Sequence, residues 1–516
     1  MRRFPWGPIT GIAAGVVGLG AGELLAGILG TSPVGAVSSA VIDFTPGWLK
    51  EAVIAVAGTA DKVVLVVSLL VVAAAIAIGA GILEVRRPPW GAVLLGALGA
   101  LAVIAALSRS SATEIAAVPS VGGTVAALLV LRGLGQRART ARAIVPARDS
   151  RGGSAPATRA AGPSRRSFLI SAGIAAAVGV AAAVGSQALA LGTRAVDGAR
   201  RAIRLPAPSK SAPPIPAGAS LEVEGIAPLI TPNADFYRID TAVFLPNLDP
   251  AEWKLRIFGM VEQEVEIGYQ ELLALPLEES HATLTCVSNV VGGDLISTAT
   301  WLGYPIRSLL ARARPSANAD MVLSKSSDGF TAGTPITALT DERNAILAVG
   351  MNGVPLPREH GFPVRMVVPG LYGYVSATKW LVSMEVTRFD RVQAYWTQRA
   401  WGERGPVKLS SRIDVPKDGA RVAEGTVTVA GVAWEQHTGV AGVQVSVDGG
   451  EWQDADIATE LTVDTWRQWR WDWAATPGSH ELRARATDAT GAVQDPVERG
   501  VLPDGATGFH TITVDV

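Results

Sequence analysis

A chain of 516 residues balances 45 Lys and Arg against 46 Asp and Glu, which excludes the charge bias of a nucleic-acid binder or of a protein built for an acidic ligand. Its mean hydropathy of +0.30 exceeds that of an ordinary water-soluble protein and points to a membrane part. One cysteine in the whole chain excludes an internal disulfide, and with it every zinc, iron–sulfur or covalent c-type haem site that needs paired thiolates.

Apolar runs near 9–30, 62–83, 90–107 and 115–131 each approach the roughly 20 residues that cross a bilayer as a helix. The stretch 31–61 carries Asp43, Lys50, Glu51 and Asp61 and reads as a loop with an interfacial helix. Residues 1–134 are therefore expected to form a four-helix transmembrane region. Arg2, Arg3, Arg86, Arg87 and the basic segment after the fourth run assign those loops to the cytoplasm. No histidine, and no methionine beyond Met1, lies in these runs, so the usual axial ligands of a b-type haem are missing and no haem is expected. The bundle then serves as an anchor or a docking surface. Glu23, inside the first run, is expected to hydrogen-bond within the bundle.

From Arg132 to Arg166 nine arginines face one acid, Asp149, in a Gly/Pro/Ala/Ser background. Residues 135–166 read as a basic, disordered cytoplasmic linker. The linker ends in Ser164-Arg165-Arg166-Ser167-Phe168-Leu169 before an apolar run, a pattern that looks like a twin-arginine export signal. An ordinary membrane helix with two basic flanking residues is the alternative. Residues 167–192 are expected as a fifth span, and 193–220 as a Pro/Ala-rich tether. This makes a multi-pass plasma-membrane protein whose C-terminal part lies outside the cytoplasm. Arg194, Arg200, Arg201 and Arg204, on that outer side, run against the positive-inside tendency.

Between 221 and 402, strand patterns such as Trp253–Phe258 and Val364–Val368 mix with short helical patterns such as Glu271–Leu275 and Pro305–Ala311, as in one α+β domain. From 403 to 516 the alternating runs Thr426–Ala430, Val443–Val447, Trp469–Trp473 and Glu481–Arg485 predict an immunoglobulin-like β-sandwich. Asp448-Gly449 sits where a hairpin turn needs positive φ. Trp452, Trp466, Trp469, Trp471 and Trp473 exceed what one small core hides, so part of the cluster is expected at an interface.

Cys286 ends an alternating segment, 282–286, and precedes the turn at Gly292-Gly293. A lone cysteine is most often inert packing. At a strand end opening into a loop, however, a thiolate is well placed to reach a metal or substrate.

The chain continues with TWLGYPIRSLL at 300–310, MNGVPLPREHGFPVRMVVPG at 351–370, then Tyr372-Gly373 and Thr378-Lys379-Trp380. This ordered series resembles the sulfite oxidase superfamily of molybdopterin enzymes over roughly 221–516. Within the last domain, Trp434, Asp448-Gly449-Gly450, Trp452 and Arg485-Ala486-Thr487-Asp488 look like the family's dimerisation domain, which implies a possible homodimer. The fold class is then multi-domain: an N-terminal α-helical transmembrane bundle, an α+β sulfite-oxidase-type molybdopterin domain and a C-terminal immunoglobulin-like β-sandwich.

The resemblance implies a molybdenum–molybdopterin cofactor with Cys286 as metal ligand and catalytic centre. The pterin dithiolene brings two sulfurs and a phosphate, so the protein needs one soft ligand and a set of donors. Arg365 and Lys379 supply positive charge for the phosphate, the first as a fork and the second as a point charge. His360 supplies a hydrogen bond to phosphate or pterin. Asn233, Phe236 and Tyr237 match the family's N-terminal cofactor contacts, and Thr378 and Lys379 its contacts near the phosphate.

Arg238 matches one of the family's oxyanion-binding arginines and is the second catalytic candidate. Asn289-Val290-Val291 stands where the family places another arginine, and Val349-Gly350 where it places a tyrosine. A pocket lined by Val290, Val291 and Val349 suits a substrate less charged or larger than sulfite. The implied reaction is a two-electron oxygen-atom transfer on a small molecule, with a separate redox protein carrying the electrons. The competing reading is a metal-free, membrane-anchored extracellular scaffold using the same fold. A transporter is disfavoured, because no broken-helix repeat is evident.

Overall fold

The N-terminal apolar runs fold as helices, in which the backbone hydrogen-bonds within its own segment. The computed structural model describes residues 5–29, 32–46, 53, 61–108, 114–143, 165–188, 191–242 and 244–516. They fall into two compact units, Met1–Ala195 with Ala242–Phe244, and Val196–Thr241 with Leu245–Val516.

The first unit contains α1 (Trp6–Leu29), α2 (Pro33–Phe44), α3 (Asp61–Arg86), α4 (Trp90–Leu107), α5 (Val118–Ala143) and α6 (Arg165–Ala188). Among the described residues five helices, all but α2, are long and apolar enough to cross a membrane. α1 packs on α3, α5 and α6. Gly11 and Gly81 make the α1–α3 crossing tight: a Cβ on Gly11 would stand 1.9 Å from the Ala77 carbonyl oxygen. Glu23 accepts hydrogen bonds from Ser32 Oγ (2.8 Å) and Val34 N (3.2 Å), so it caps the start of α2.

α5 runs to Ala143, past residue 134 where the linker was expected to begin. Arg, Gln and Ala are good helix formers, and Arg139 Nη1 ties the extension to α3 by donating to the Glu84 carbonyl at 2.7 Å. The rest of the expected linker, 144–164, lies outside the described residues.

The expected tether is ordered. α7 (Leu191–Ala202) buries Val196, and Arg200 donates to the carbonyls of Leu356 (2.7 Å) and Pro355 (3.0 Å). Farther on, Ser209 N donates to Leu277 O (2.7 Å) and Glu279 N to Lys210 O (2.8 Å). A Pro-rich strap suits this position, because a sheet edge tolerates residues that cannot donate.

The central domain comprises β1 (Lys254–Gly259), β2 (Val265–Gly268), β3 (Glu278–Thr285), β4 (Ile296–Pro305), β5 (Met321–Ser326), β6 (Thr331–Pro335), β7 (Ile346–Met351), β8 (Val354–Pro355), β9 (Arg365–Val367) and β10 (Leu381–Thr387). One sheet runs β2-β1-β10-β5-β6 and the other β3-β4-β7-β8, with β9 also paired to β7. Leu255, Ile257, Leu309, Leu347, Met366 and Leu381 are fully buried in its core. The buried side chains contribute roughly 1.5–3 kcal/mol each.

The C-terminal sandwich comprises β11 (Ser410–Val415), β12 (Ala420–Arg421), β13 (Gly425–Trp434), β14 (Val440–Val447), β15 (Gln453–Asp454), β16 (Asp456–Ile457), β17 (Arg467–Ala475), β18 (Ser479–Asp488) and β19 (His510–Asp515). Its sheets are β11-β13-β17-β16 and β12-β19-β18-β14-β15. Asp448 and Gly449 both take positive φ at the β14–β15 turn, as the hairpin pattern requires. The tryptophan cluster is more buried than its number suggested. Trp469 and Trp473 fill the space between the sheets and Trp466 joins the central core, while Trp452 and Trp471 stay partly exposed.

Candidate active site

β3 delivers Cys286 at its end. The ladder closes as Cys286 N donates to Leu295 O (2.9 Å), and Asn289 turns the chain back by donating to Cys286 O (3.1 Å) and accepting from Leu295 N (2.9 Å). The thiol is 8% exposed and accepts a long hydrogen bond from Ser288 N (3.4 Å). Burial pushes its pKa up, opposed by the Ser288 hydrogen bonds and by the Lys379 charge. A metal bound there would reverse that balance by holding the thiolate.

β9 begins with Arg365, opposite Ala348 of β7. Arg365 is 5% exposed, and its guanidinium lies over the Trp301 ring (5.0 Å to the centroid) and makes long contacts to the carbonyls of His360 (3.2 Å), Met366 (3.3 Å) and Ala377 (3.5 Å). Among the described residues no carboxylate stands within ion-pair distance of it. Burial pulls its pKa down to about 10. Such a cation is costly unless an anion joins it.

Lys379 is buried too, with Nζ 2.8 Å from Asp240 Oδ2 and donating to Glu359 O at 3.1 Å. Burial lowers it to about 8 against the pull of Asp240. Gly361 lets the two cation-bearing segments meet. It takes φ +109°, and a Cβ there would press at 3.0–3.1 Å on the Cβ atoms of Arg365 and Lys379.

His360 is held by the Asn233 carbonyl (Nε2 at 3.0 Å) and packs edge-on to Phe236. Burial, then Arg365, drive its pKa down to about 4, so the ring is neutral at physiological pH. Phe236 and Tyr237 stack with centroids 5.4 Å apart. The Tyr237 phenol is pushed far above its usual range, chiefly by burial and then by Cys286.

One cavity is lined by Phe236, Tyr237, Cys286, His360, Arg365 and Lys379. Three other expected site residues stand outside its wall. Asn233 bridges Met351 O (3.3 Å) and Asn352 Nδ2 (2.8 Å), which anchors the segment leading to Phe236. Thr378 is buried against Ser324 Oγ (2.7 Å) and accepts Met366 N through its carbonyl. Arg238 points its Nε at Asp240 (2.9 Å), with its side chain 40% exposed.

The expected valine pocket is absent. Val349 is fully buried in β7, a strand covered on both faces. Val290 is 59% exposed, because the Asn289 turn throws it outward, and Val291 does not line the cavity. The wall is aromatic instead: Phe330, Tyr374, Trp380, Trp396 and Trp401, with Asp328 beside them. Trp396 and Trp401 lie on a segment that reads as a domain boundary, and their crowding there was the available signal.

The donor set fits a molybdopterin. It offers one soft sulfur for the metal, a buried guanidinium with no carboxylate partner among the described residues and an ammonium for an anionic tail, and stacked rings for a flat heterocycle.

Comparison with known proteins agrees. Residues 242–396 match the oxidoreductase molybdopterin binding domain, and 410–514 match a bacterial Ig domain. The sulfite oxidase of Gallus gallus is 30% identical over 336 residues, covering 54% of this chain and 72% of that protein. The mitochondrial enzyme of Mus musculus is 32% identical over 342 residues, covering 56% of this chain and 62% of that protein, so the chain spans less than two thirds of this relative. The crystal structure of the sulfane dehydrogenase SoxCD from Paracoccus pantotrophus shares the fold, with a TM-score of 0.50 and 22% identity over 56% of this chain and 82% of that one. Fold and site together define a protein of the molybdopterin-binding oxidoreductase class. More narrowly, the chain belongs to the sulfite oxidase superfamily.

Proposed function

We propose that this protein is a membrane-anchored, extracytoplasmic molybdenum-cofactor oxidoreductase that transfers an oxygen atom to or from a substrate less charged or larger than sulfite. The observation that carries the reading is Arg365, a buried cation without a carboxylate partner among the described residues, lining a cavity that also holds the chain's one thiol. Bound there, the cofactor supplies the two-electron redox change and the site of oxygen transfer. In the oxidative direction, substrate and water give oxidised substrate, two protons and two electrons, and a separate redox protein takes the electrons one at a time.

The chain's own residues bind and orient. Cys286 Sγ would hold the metal, Arg365 and Lys379 the anionic tail, and Phe236 and Tyr237 the pterin. Neutral His360 keeps the Asn233 segment in place through its Nε2 hydrogen bond. The aromatic wall excludes water and offers apolar contact area.

Substrate charge follows from what the arginines do. Arg238 lies outside the cavity wall with its Nε on Asp240, and Asn289-Val290-Val291 brings no guanidinium. A small oxyanion therefore lacks the forked donors it would need, whereas aromatic walls suit a sulfoxide or N-oxide. The apolar helices supply the anchor, with the twin-arginine pair as the route of export, and the C-terminal sandwich is the surface for a homodimer.

Metal analysis and turnover test the proposal together. About one molybdenum per chain, with reduction of sulfoxides or N-oxides by an artificial donor exceeding any sulfite oxidation, supports it. Protein without molybdenum returns the scaffold reading.

A further inference from the structure

The segments that carry the site are held in place from outside the molybdopterin domain. Thr283, three residues before Cys286, donates its N–H to Asp464 O (2.9 Å) and accepts Trp466 N on its hydroxyl (2.8 Å). Gln436 Nε2 donates to Thr285 Oγ1 at 2.8 Å. All three partners belong to the sandwich.

Beyond Cys286 the contact is closer. Arg412 of β11 donates Nη1 to Gly293 O (2.9 Å), and its Nε is fixed by Asp414 Oδ1 (2.7 Å) in a buried ion pair. His510 of β19 accepts Ile413 N on Nδ1 (2.9 Å), which leaves its Nε2 edge against Gly292. A Cβ on Gly292 would lie 2.2–2.3 Å from the imidazole, so the loop rests directly on that ring.

The same ion pair reaches the other side of the site. Asp414 Oδ2 accepts Ala227 N (3.0 Å), Gln468 Nε2 donates to Ala227 O (2.7 Å), and Trp466 Nε1 donates to Leu229 O (2.9 Å). Residues 227–229 lead into the Asn233–Tyr237 segment. A loop closed on two adjacent glycines has little rigidity of its own, and ligand atoms need supporting contacts to stay within a fraction of an ångström.

We propose that the C-terminal sandwich is a working part of the cofactor site, with Arg412 and His510 as positioning residues for the Cys286 loop. The inference rests on the reading of Cys286 as the metal ligand. Its role is additional to any dimer contact the sandwich makes. Asp414 connects the two walls of the site, so the thiol and the Phe236–Tyr237 pair are registered against one another through the sandwich.

The test uses the full chain in detergent, and its readout is alkylation of the chain's single cysteine by iodoacetamide in cofactor-free protein. Arg412→Gln should raise the alkylation rate at least about tenfold, because the loop opens more often. Arg412→Lys, which keeps charge for Asp414, should restore part of the protection. Arg485→Gln breaks a contact elsewhere in the same sandwich, to Gln444, and should leave the rate unchanged. Should Arg412→Gln fail to fold, Gly292→Ala replaces it, with the same acceleration expected from the collision with His510.

In loaded protein, Arg412→Gln should also shift the Mo(V) electron paramagnetic resonance signal. Alkylation within about twofold of wild type in both Arg412→Gln and Gly292→Ala would overturn the proposal, as would equal acceleration in Arg485→Gln. Absence of molybdenum from the wild-type protein would instead defeat the ligand reading, so the two failures are distinguishable.

Discussion

The Lys379 ammonium and the Asp240 carboxylate meet at 2.8 Å with both side chains buried, and the same carboxylate oxygen also receives Arg238 Nε at 2.9 Å. Asp240 thus compensates two cations at the edge of the site. Asp240→Asn should destabilise the protein on the order of 3 kcal/mol by leaving Lys379 buried and unpaired. Denaturant titration of the detergent-solubilised chain measures this. A loss below about 0.5 kcal/mol would mean the pair is screened like a surface ion pair.

Cofactor retention should weaken as pH rises through about 8. Burial brings the Lys379 pKa down to that value, so the anion-binding charge is present below it and lost above it. Dialysis at pH 7 and pH 9, followed by molybdenum assay, reads the difference. Equal retention would show that Arg365 alone holds the anion.

Arg365→Met should separate stability from binding. Removing an uncompensated buried cation should stabilise the cofactor-free protein, on the order of 1–3 kcal/mol, while the molybdenum content falls. A Met variant that is both less stable and fully loaded would contradict the assignment.

Acid sensitivity follows from His360. Its pKa in the folded chain is depressed to about 4 from an ordinary value near 6.5, so the unfolded chain binds the proton first. Stability is fully present above about pH 6.5 and is lost as pH falls toward 4. His360→Gln should make the melting temperature fall less steeply across that window. Part of the slope will remain, since burial also lowers His510.

Much of the site is legible in sequence because its residues lie in compact runs. Cys286, His360, Arg365 and Lys379 can be picked out one by one, and folding brings them to a single cavity. Arg238 stands outside the cavity wall for a local reason, since Asp240, two residues on, holds its Nε at 2.9 Å. Val349 could not be placed, because a strand buried on both faces shows no alternation to say which face meets the cavity. The aromatic wall was hidden by chain distance, with Phe330 and Trp401 joined only in the fold. Likewise nothing local in 193–220 tells that its polar backbone finds the edge of β3.

X-ray absorption at the molybdenum edge, on wild-type protein and on Cys286→Ser, counts the sulfur atoms around the metal. With Cys286 as ligand, the wild-type chain should hold about one metal with three sulfur ligands, two from the pterin dithiolene and one from Cys286, falling to two in the variant while the fold persists. An unchanged sulfur count in Cys286→Ser, or no molybdenum in the wild-type chain, would contradict it.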